Sequence, residues 1–184
     1  MHATALSLGE AGALAVKAMR GAGASWGLAE EAGWAVRWLG ARNEPGLETL
    51  AQLLETWPGE EIRGNPEEGF RARGPLCPVR AGCVLADIAP ITATPLRFRE
   101  VAWPVLMVPF ANLVGWGLSP APDGLELADI EAKPGAFTFH QPVGDRVEIS
   151  DAALERLQAL AHRTYVPATD ASRRGAGAGT RDND

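Results

Sequence analysis

The sequence has no long hydrophobic run and no basic stripe, and each absence excludes a class of protein. No stretch of about 18 or more consecutive apolar residues is present that could cross a bilayer as a helix. Acidic residues outnumber basic ones by 23 to 17, and the formal net charge is −6. Binding to nucleic acid requires clustered Lys and Arg side chains that displace counterions from phosphates. We therefore expect neither a membrane protein nor a nucleic-acid-binding protein.

Cysteine and histidine are also scarce. The 2 cysteines among 184 residues are too few for a disulfide framework, and the 3 histidines do not show metal-ligand spacing. The start of the chain has neither the charged region nor the apolar region of a signal peptide. These features favour a protein of the reducing cytoplasm. They predict no metal site and indicate no particular cofactor.

Helices are predicted for the first third of the chain, about residues 6–56. Ser7 and Glu10 have the spacing of a capping box, and Ser25 has the position of a second N-cap. The apolar side chains of the second helix recur on one face, at Leu28, Ala29, Ala32, Ala35, Val36 and Leu39. Because the link between these two helices is short, we expect a helical hairpin, followed by a third helix over Leu47–Glu55.

Trp34 and Trp38 fall on the face of the second helix opposite its apolar stripe. Two large aromatic side chains on that face require cover of their own. Either the rest of the fold supplies this cover, as is usual for aromatic residues, or a partner chain supplies it. Both alternatives predict that the second helix is sandwiched.

The middle of the chain changes from helical to alternating periodicity. A loop rich in Pro, Gly and Glu is predicted over residues 57–75, followed by a strand-rich part over about 76–149. The alternating segments are Leu96–Arg99, Gly124–Leu127, Phe137–His140 and Arg146–Ile149. The apolar segment Val101–Phe110 predicts a short buried strand, Val105–Val108, with a proline near each end.

The end of the chain completes the predicted architecture. Asp151 opens a last helix over residues 151–163, and an extended glycine-rich tail covers 164–184. Neither an internal repeat nor a domain boundary is visible, so we expect residues 1–184 to form a single domain. Helices first, then strands, then one helix are typical of the α+β class, here a helical hairpin packed on a mostly antiparallel sheet.

Three segments together resemble a known family. They are Ser7–Glu10 with Trp26–Gly33, Gly74–Pro78, and Arg163–Ala168 with the Gly-Ala-Gly-Ala-Gly and Asp-Asn-Asp tail. In these segments the chain resembles an uncharacterised bacterial family known only as a domain of unknown function. The resemblance covers most of the chain, and it implies no established activity, cofactor or catalytic residue.

Cys77 is the side chain best suited to nucleophilic catalysis. If Pro78 opens a short helix, Cys77 is its N-cap, where the positive end of the helix would lower the thiol pKa. His140 or His162 could then serve as its base, although the sequence alone does not bring them together. Alternatively, Cys77 and Cys83 are structural thiols, since free cysteines are usually buried.

Arg97 and Arg99 are candidate anion ligands. They project from one face of a predicted strand, while Leu96 and Phe98 fill the other face. Two guanidinium groups on one sheet face could bind a carboxylate or a phosphate. A solvent-facing pair of arginines that is neutralised by nearby glutamates explains the same pattern.

Gly175, Gly177 and Gly179 alternate with alanine in the tail. Because no Cβ is present at every second position, this backbone can approach a ligand or another chain closely. The pattern does not match the dinucleotide-binding fingerprint, whose glycines follow a strand and open a helix. The alternatives are a contact with a partner and a disordered terminus.

Two functional hypotheses follow. The first is an enzyme or ligand-binding protein of small-acid metabolism, with a pocket near Cys77 and the arginine pair, between the sheet and the hairpin. The second is a non-catalytic subunit or assembly factor that holds a partner, or a second copy of itself, through Trp34, Trp38 and the tail. No residue pattern identifies a bond-making step, so the sequence leaves open whether the protein is an enzyme.

Overall fold

The computed structural model describes residues 3–57, 59–135 and 144–165. Within these ranges, the helices are α1 Leu8–Gly21, α2 Trp26–Gly40, α3 Gly46–Glu55, α4 Pro78–Ile88, α5 Val108–Leu113 and α6 Asp151–His162. The strands are β1 Ala3–Ser7, β2 Arg63–Asn65, β3 Gly69–Arg71, β4 Leu96–Ala102, β5 Trp116–Ser119, β6 Leu127–Pro134 and β7 Arg146–Ser150. The predicted strand Phe137–His140 and residues 166–184 of the predicted tail lie outside the described residues.

Two sheets confirm the predicted α+β class. The larger sheet has the strand order β2-β3-β4-β6-β5, and its neighbours are antiparallel except for β3 and β4, which are parallel at Phe70 and Phe98. Strands β1 and β7 form a separate antiparallel pair in which Leu6 lies opposite Val147. None of the helices in the described ranges combines the length and the apolar character that crossing a membrane requires.

The first two helices begin at the predicted caps. The Ser7 hydroxyl accepts a hydrogen bond from the Glu10 backbone N–H at 3.2 Å, and the Glu10 carboxylate accepts one from the Ser7 N–H at 2.8 Å. This is a complete capping box. The Ser25 hydroxyl accepts from the Leu28 N–H at 3.4 Å. These bonds satisfy donors of the first turn that no helical carbonyl can reach, so the local sequence fixes both helix starts.

Helix α2 lies at the centre of the helical layer and contacts α1, α3, α4 and α5. All six residues of its predicted apolar stripe are buried. Helix α4 contacts α2 and also β4, whose Leu96 and Phe98 are fully buried. The Phe98 ring stacks on Phe70 of β3, with ring centroids 5.3 Å apart. The core therefore lies between the helices and one face of the larger sheet, and the opposite face of β4 meets solvent.

The loop predicted over residues 57–75 contains the β2–β3 hairpin, which differs from the prediction. Gly64 and Gly69 have φ angles of +121° and +87°, which other residues rarely adopt. The Asn65 side chain accepts hydrogen bonds from the N–H groups of Glu67 and Glu68 at 3.0 and 2.9 Å. The glycines that indicated a loop are the residues that allow this tight turn between two short strands.

The buried strand predicted at Val105–Val108 is wrong. Pro104–Met107 is a 3-10 helix, and α5 follows it directly. Each proline lies in the first turn of its helix, where a missing N–H costs no hydrogen bond. The strand predicted at Gly124–Leu127 is also largely wrong, since β6 begins only at Leu127. Gly124 has a φ of +67° in the preceding turn.

Candidate functional site

Trp34 on α2 is half-buried and has cover on one side from α5. Its ring packs edge to face against Phe110, with ring centroids 5.1 Å apart and an interplanar angle of 68°. Phe110 is itself only 2% exposed. The fold therefore supplies part of the cover that the sequence required for Trp34. The rest of the ring borders two depressions on the protein surface.

The two depressions meet at Trp34. The first, of about 440 Å³, runs between α1 and α2, and small side chains line most of it: Gly9, Gly12, Ala13, Val16 and Gly33. The second, of about 400 Å³, lies between α2 and α5 and is lined by Glu30, Glu31, Trp34 and Leu113. We call these last four residues the Trp34 surface.

The first depression lies where α1 and α2 pack closely at a glycine. A Cβ at Gly33 would lie 2.9 Å from the Gly12 carbonyl oxygen and closer still to the Val16 side chain. Only glycine allows the two helices to approach this far. The small residues leave this depression at the surface, and Glu30 and Arg37 also line it.

The Trp34 surface combines apolar area with negative charge. Leu113, the last residue of α5, is 66% exposed. Glu30 and Glu31 are exposed as well, and within the described part of the chain neither forms an ion pair. An aromatic face beside two carboxylates is the environment that binds a cation with an apolar stem, such as arginine or lysine.

Trp38, one helical turn further along α2, is in a different environment. The guanidinium carbon of Arg42 lies 3.6 Å from the Trp38 ring centroid. Arg42 also donates a hydrogen bond from Nη1 to the Trp38 carbonyl oxygen at 3.0 Å. A cation of the same chain therefore covers one face of the Trp38 ring, and we do not include Trp38 in the Trp34 surface.

Arg97 and Arg99 lie together on the solvent face of β4, as predicted, and each contacts a carboxylate of β6. Arg99 Nη1 is 2.6 Å from Asp129 Oδ2, and Arg97 Nε is 3.6 Å from Glu131 Oε2. Asp129 also accepts the backbone N–H of Glu100 at 2.9 Å. The bond from Glu100, followed by that from Arg99, lowers the pKa of Asp129 from its ordinary value. Arg97 and Arg99 are therefore neutralised by neighbouring carboxylates, which is the alternative interpretation of this pattern in the sequence.

Cys77 is the N-cap of α4 and Pro78 is its first residue, as predicted. The thiol, however, is fully buried, and this burial raises the Cys77 pKa by more than the nearby backbone N–H groups of Arg80 and Val79 lower it. The expected lowering of the pKa is therefore wrong, because desolvation outweighs the helix end. Burial also raises the pKa of Cys83, to about 12. Since Cys77 has no exposed surface, the fold does not join it to the arginine pair in one pocket.

The remaining candidate site residues are either exposed or outside the residues that the structure describes. His162 is exposed at the end of α6, with its ring centroid 5.2 Å from that of Tyr165. His140 lies outside the described residues, as do the tail glycines Gly175, Gly177 and Gly179. Among the described residues, no three His, Cys, Asp or Glu side chains group together in a way that could hold a metal ion.

Leu113 is the apolar residue of the Trp34 surface that sequence reasoning missed. Its exposure follows from the helical turn that begins at Val108, and the sequence predicted a strand at this point. The prolines at 104 and 109 were the available signal, because proline is favoured in the first turn of a helix. If these two prolines are interpreted as helix starts, they predict a short helix with Leu113 at its exposed end.

Comparison with known proteins gives a family for this chain. No curated protein matches it, and no solved structure matches it. Residues 6–99, just over half of the chain, match the model of a family described as "Protein of unknown function (DUF3726)". The matched range includes α1 to α4, and with them the helix that carries Trp34 and the cap at Cys77. The chain belongs to this family of proteins of unknown function.

Proposed function

We propose that this protein is a non-catalytic subunit or assembly factor that binds a partner protein through the Trp34 surface. The observation that carries the proposal is the junction of Trp34 with Leu113, which is 66% exposed, beside two carboxylates. Interface anchors are enriched in large aromatic side chains, and charged residues at the edge of an interface select the partner. The tail with Gly175, Gly177 and Gly179 is the second contact in this proposal.

The chemistry of the Trp34 surface favours one kind of partner. A segment of another protein presents an arginine next to an apolar side chain. The arginine stem lies on the Trp34 ring, its guanidinium meets Glu30 and Glu31, and the apolar side chain packs on Leu113. The formal net charge of −6 favours association with such a basic segment.

An enzyme or ligand-binding protein of small-acid metabolism is the second candidate. A depression of about 220 Å³ on the solvent face of the sheet favours it, because Arg97, Arg99 and Ser119 all line this space. A ligand carboxylate would have to replace Asp129 or Glu131 at the guanidinium groups. We rank this candidate second because both arginines already have carboxylate partners and the candidate nucleophile Cys77 is buried.

Affinity capture with single-site variants tests the partner proposal. The full chain and its Leu113→Asp variant are immobilised and exposed to extract from source cells. Ile91→Asp is the matched control, because Ile91 is an aliphatic residue that is 84% exposed and is not part of the Trp34 surface. The captured protein is then purified and titrated by calorimetry. We expect Leu113→Asp and the double variant Glu30→Lys/Glu31→Lys to weaken binding at least about tenfold, which corresponds to about 1.4 kcal/mol. Ile91→Asp should bind as the wild type does.

Two results would overturn the proposal. Equal affinity of Leu113→Asp and Ile91→Asp for the purified partner would show that binding does not use this surface. A wild-type mass that rises with concentration in light scattering, and that Leu113→Asp returns to a monomer, would make a second copy of this chain the occupant. Circular dichroism of each variant distinguishes lost binding from lost folding.

A further inference from the structure

A separate cavity of about 190 Å³ lies where the loop between α2 and α3 meets α5 and the loop that follows β5. Apolar side chains form its wall: Leu39, Val105, Val108, Ala121 and Pro122. Two carboxyl groups, Glu44 and Asp123, complete the lining. We call this cavity the Glu44 cleft. It shares no residue with the Trp34 surface.

Neither of these two carboxyl groups pairs with a cation among the residues that the structure describes. In the described part of the chain, neither side chain makes an ion pair or a side-chain hydrogen bond. Glu44 is half-buried against the apolar wall, while Asp123 is exposed at the opening. Burial and then the charge of Asp123 raise the pKa of Glu44. A positive charge in the cleft would relieve both effects, because it would offset the desolvation of Glu44 and its repulsion by Asp123.

The lining distinguishes between the kinds of ligand that could supply this charge. A metal ion requires more donors, since Ca²⁺ takes about six to eight oxygen ligands. Within the described residues no third metal-ligating side chain joins Glu44 and Asp123. An anion would meet two carboxylates. An organic ammonium group fits both halves of the cleft, because its charge meets the carboxylates and its carbon skeleton meets Leu39 and Val108.

The volume limits the size of this skeleton. A protein cavity of about 150 Å³ lined by aliphatic and aromatic side chains holds one benzene molecule. The Glu44 cleft, at about 190 Å³, is slightly larger. We propose that the Glu44 cleft is a binding site for a small organic cation, a primary amine that carries one aryl or short alkyl group. This site is independent of partner binding at the Trp34 surface.

The titration of Glu44 predicts the pH dependence of binding. The carboxylate must be ionised to attract the amine, so affinity rises with pH until Glu44 is fully ionised. Other charged groups face Glu44 as well. Asp123 shares the cleft, and Asp145, Arg146 and Glu148 line the depression on the other side of Glu44. Arg146 directs Nη1 to the Ala5 carbonyl oxygen at 3.5 Å, and among the described residues it forms no ion pair with Glu44.

Three probes of similar shape and different charge test the proposal. Benzylammonium, benzyl alcohol and benzoate are each titrated into the full chain at pH 7.5, with binding followed by amide chemical shifts in NMR. We expect saturable binding of benzylammonium, with shifts at Leu39, Val105 and Val108. Benzyl alcohol should bind at least about tenfold more weakly, and benzoate should not compete. Glu44→Gln and Asp123→Asn should each weaken benzylammonium binding, most strongly for Glu44→Gln.

Matched substitutions serve as controls. Glu67→Gln and Asp87→Asn remove the same charges from exposed side chains outside the cleft and should leave binding unchanged. Equal affinity for benzylammonium and benzyl alcohol would mean that the cleft binds its ligand as an apolar cavity, with no contribution from the charge of the ligand. Equal weakening by Glu44→Gln and Glu67→Gln would assign binding to the overall negative charge. Either result, or the absence of cleft shifts with benzylammonium, overturns the proposal and leaves the Trp34 surface unaffected.

Discussion

Ser150 donates two hydrogen bonds to the carboxylate of Glu48, although the two residues are far apart in sequence. The Ser150 hydroxyl lies 2.9 Å from Glu48 Oε1, and the Ser150 backbone nitrogen lies 3.1 Å from Oε2. The same hydroxyl accepts the Ala153 N–H at 3.3 Å as the N-cap of α6. One serine therefore joins the end of β7, the start of α6 and the side of α3.

Replacing this serine should cost more than the loss of an ordinary helix cap. We expect Ser150→Ala to lower the free energy of unfolding by about 2–3 kcal/mol, since it removes a cap and a hydrogen bond to a charged group. Urea denaturation measures the change. Ser150→Thr retains the hydroxyl and should recover most of the stability. An unchanged urea midpoint for Ser150→Ala would mean that the Ser150 hydroxyl does not stabilise this junction.

Asp129 should make the stability of the sheet depend on pH. Its pKa is lowered by the Glu100 N–H and then by Arg99, so its carboxylate stabilises the fold above its ordinary pKa of 3.8. This contribution is lost as the pH falls through the lower pKa of the folded state. We expect Asp129→Asn to reduce stability at pH 7 by about 1 kcal/mol, as for one exposed hydrogen-bonded pair.

The difference between wild type and Asp129→Asn should therefore shrink below pH 3.8. Urea denaturation at pH 7 and at pH 2.5 measures it. Glu131→Gln is the control, because its 3.6 Å contact with Arg97 is longer and no backbone bond supports it. It should change stability less at both pH values. A constant difference for Asp129→Asn across this range would contradict the assignment.

The helix starts could be predicted from the sequence because their chemistry is local. Ser7 and Ser25 each accept a hydrogen bond from a first-turn N–H, and Pro78 has no N–H that needs a partner. The structure contains all three starts. The apolar stripe of α2 was equally clear, since one helix repeats its contacts at fixed spacing. The structure of the segment at Pro104 and Pro109 was not clear from the sequence, because a short apolar run with prolines fits a buried strand or two helical turns equally well.

The chemistry of the candidate site depended on burial and on distant neighbours, which no local pattern encodes. Cys77 has the cap position of a reactive thiol, yet the packing of other elements around α4 buries it and raises its pKa. Arg97 and Arg99 were correctly placed on one face, but their carboxylate partners come from β6, about 30 residues away. The Glu44 cleft likewise forms between two loops that are far apart in the sequence, and no local pattern predicts that they meet.

Cys77 should react slowly with thiol reagents. Its side chain is fully buried and its pKa is raised, so reaction requires local or global opening of the fold. In the Cys83→Ser variant, Cys77 is the single remaining thiol. We expect native Cys83→Ser to react with an aromatic disulfide reagent at pH 8 at least about a hundredfold more slowly than the same protein in denaturant. Rapid reaction of the native protein at neutral pH would restore Cys77 as a candidate nucleophile.

Two glycine-to-alanine substitutions should change stability in opposite directions. At Gly21, the last residue of α1, a Cβ would overlap the backbone carbonyl of Leu160 in α6. Relief of this overlap requires the two helices to separate, so we expect Gly21→Ala to cost about 2–3 kcal/mol or more. At Gly27 in α2, no atom lies within 4 Å of an added Cβ. Gly27→Ala should stabilise the protein by about 0.5–1 kcal/mol, since alanine loses less backbone entropy in a helix. Thermal unfolding of both variants measures the two changes in stability. A change of the same sign in both variants would contradict the close packing of α1 on α6.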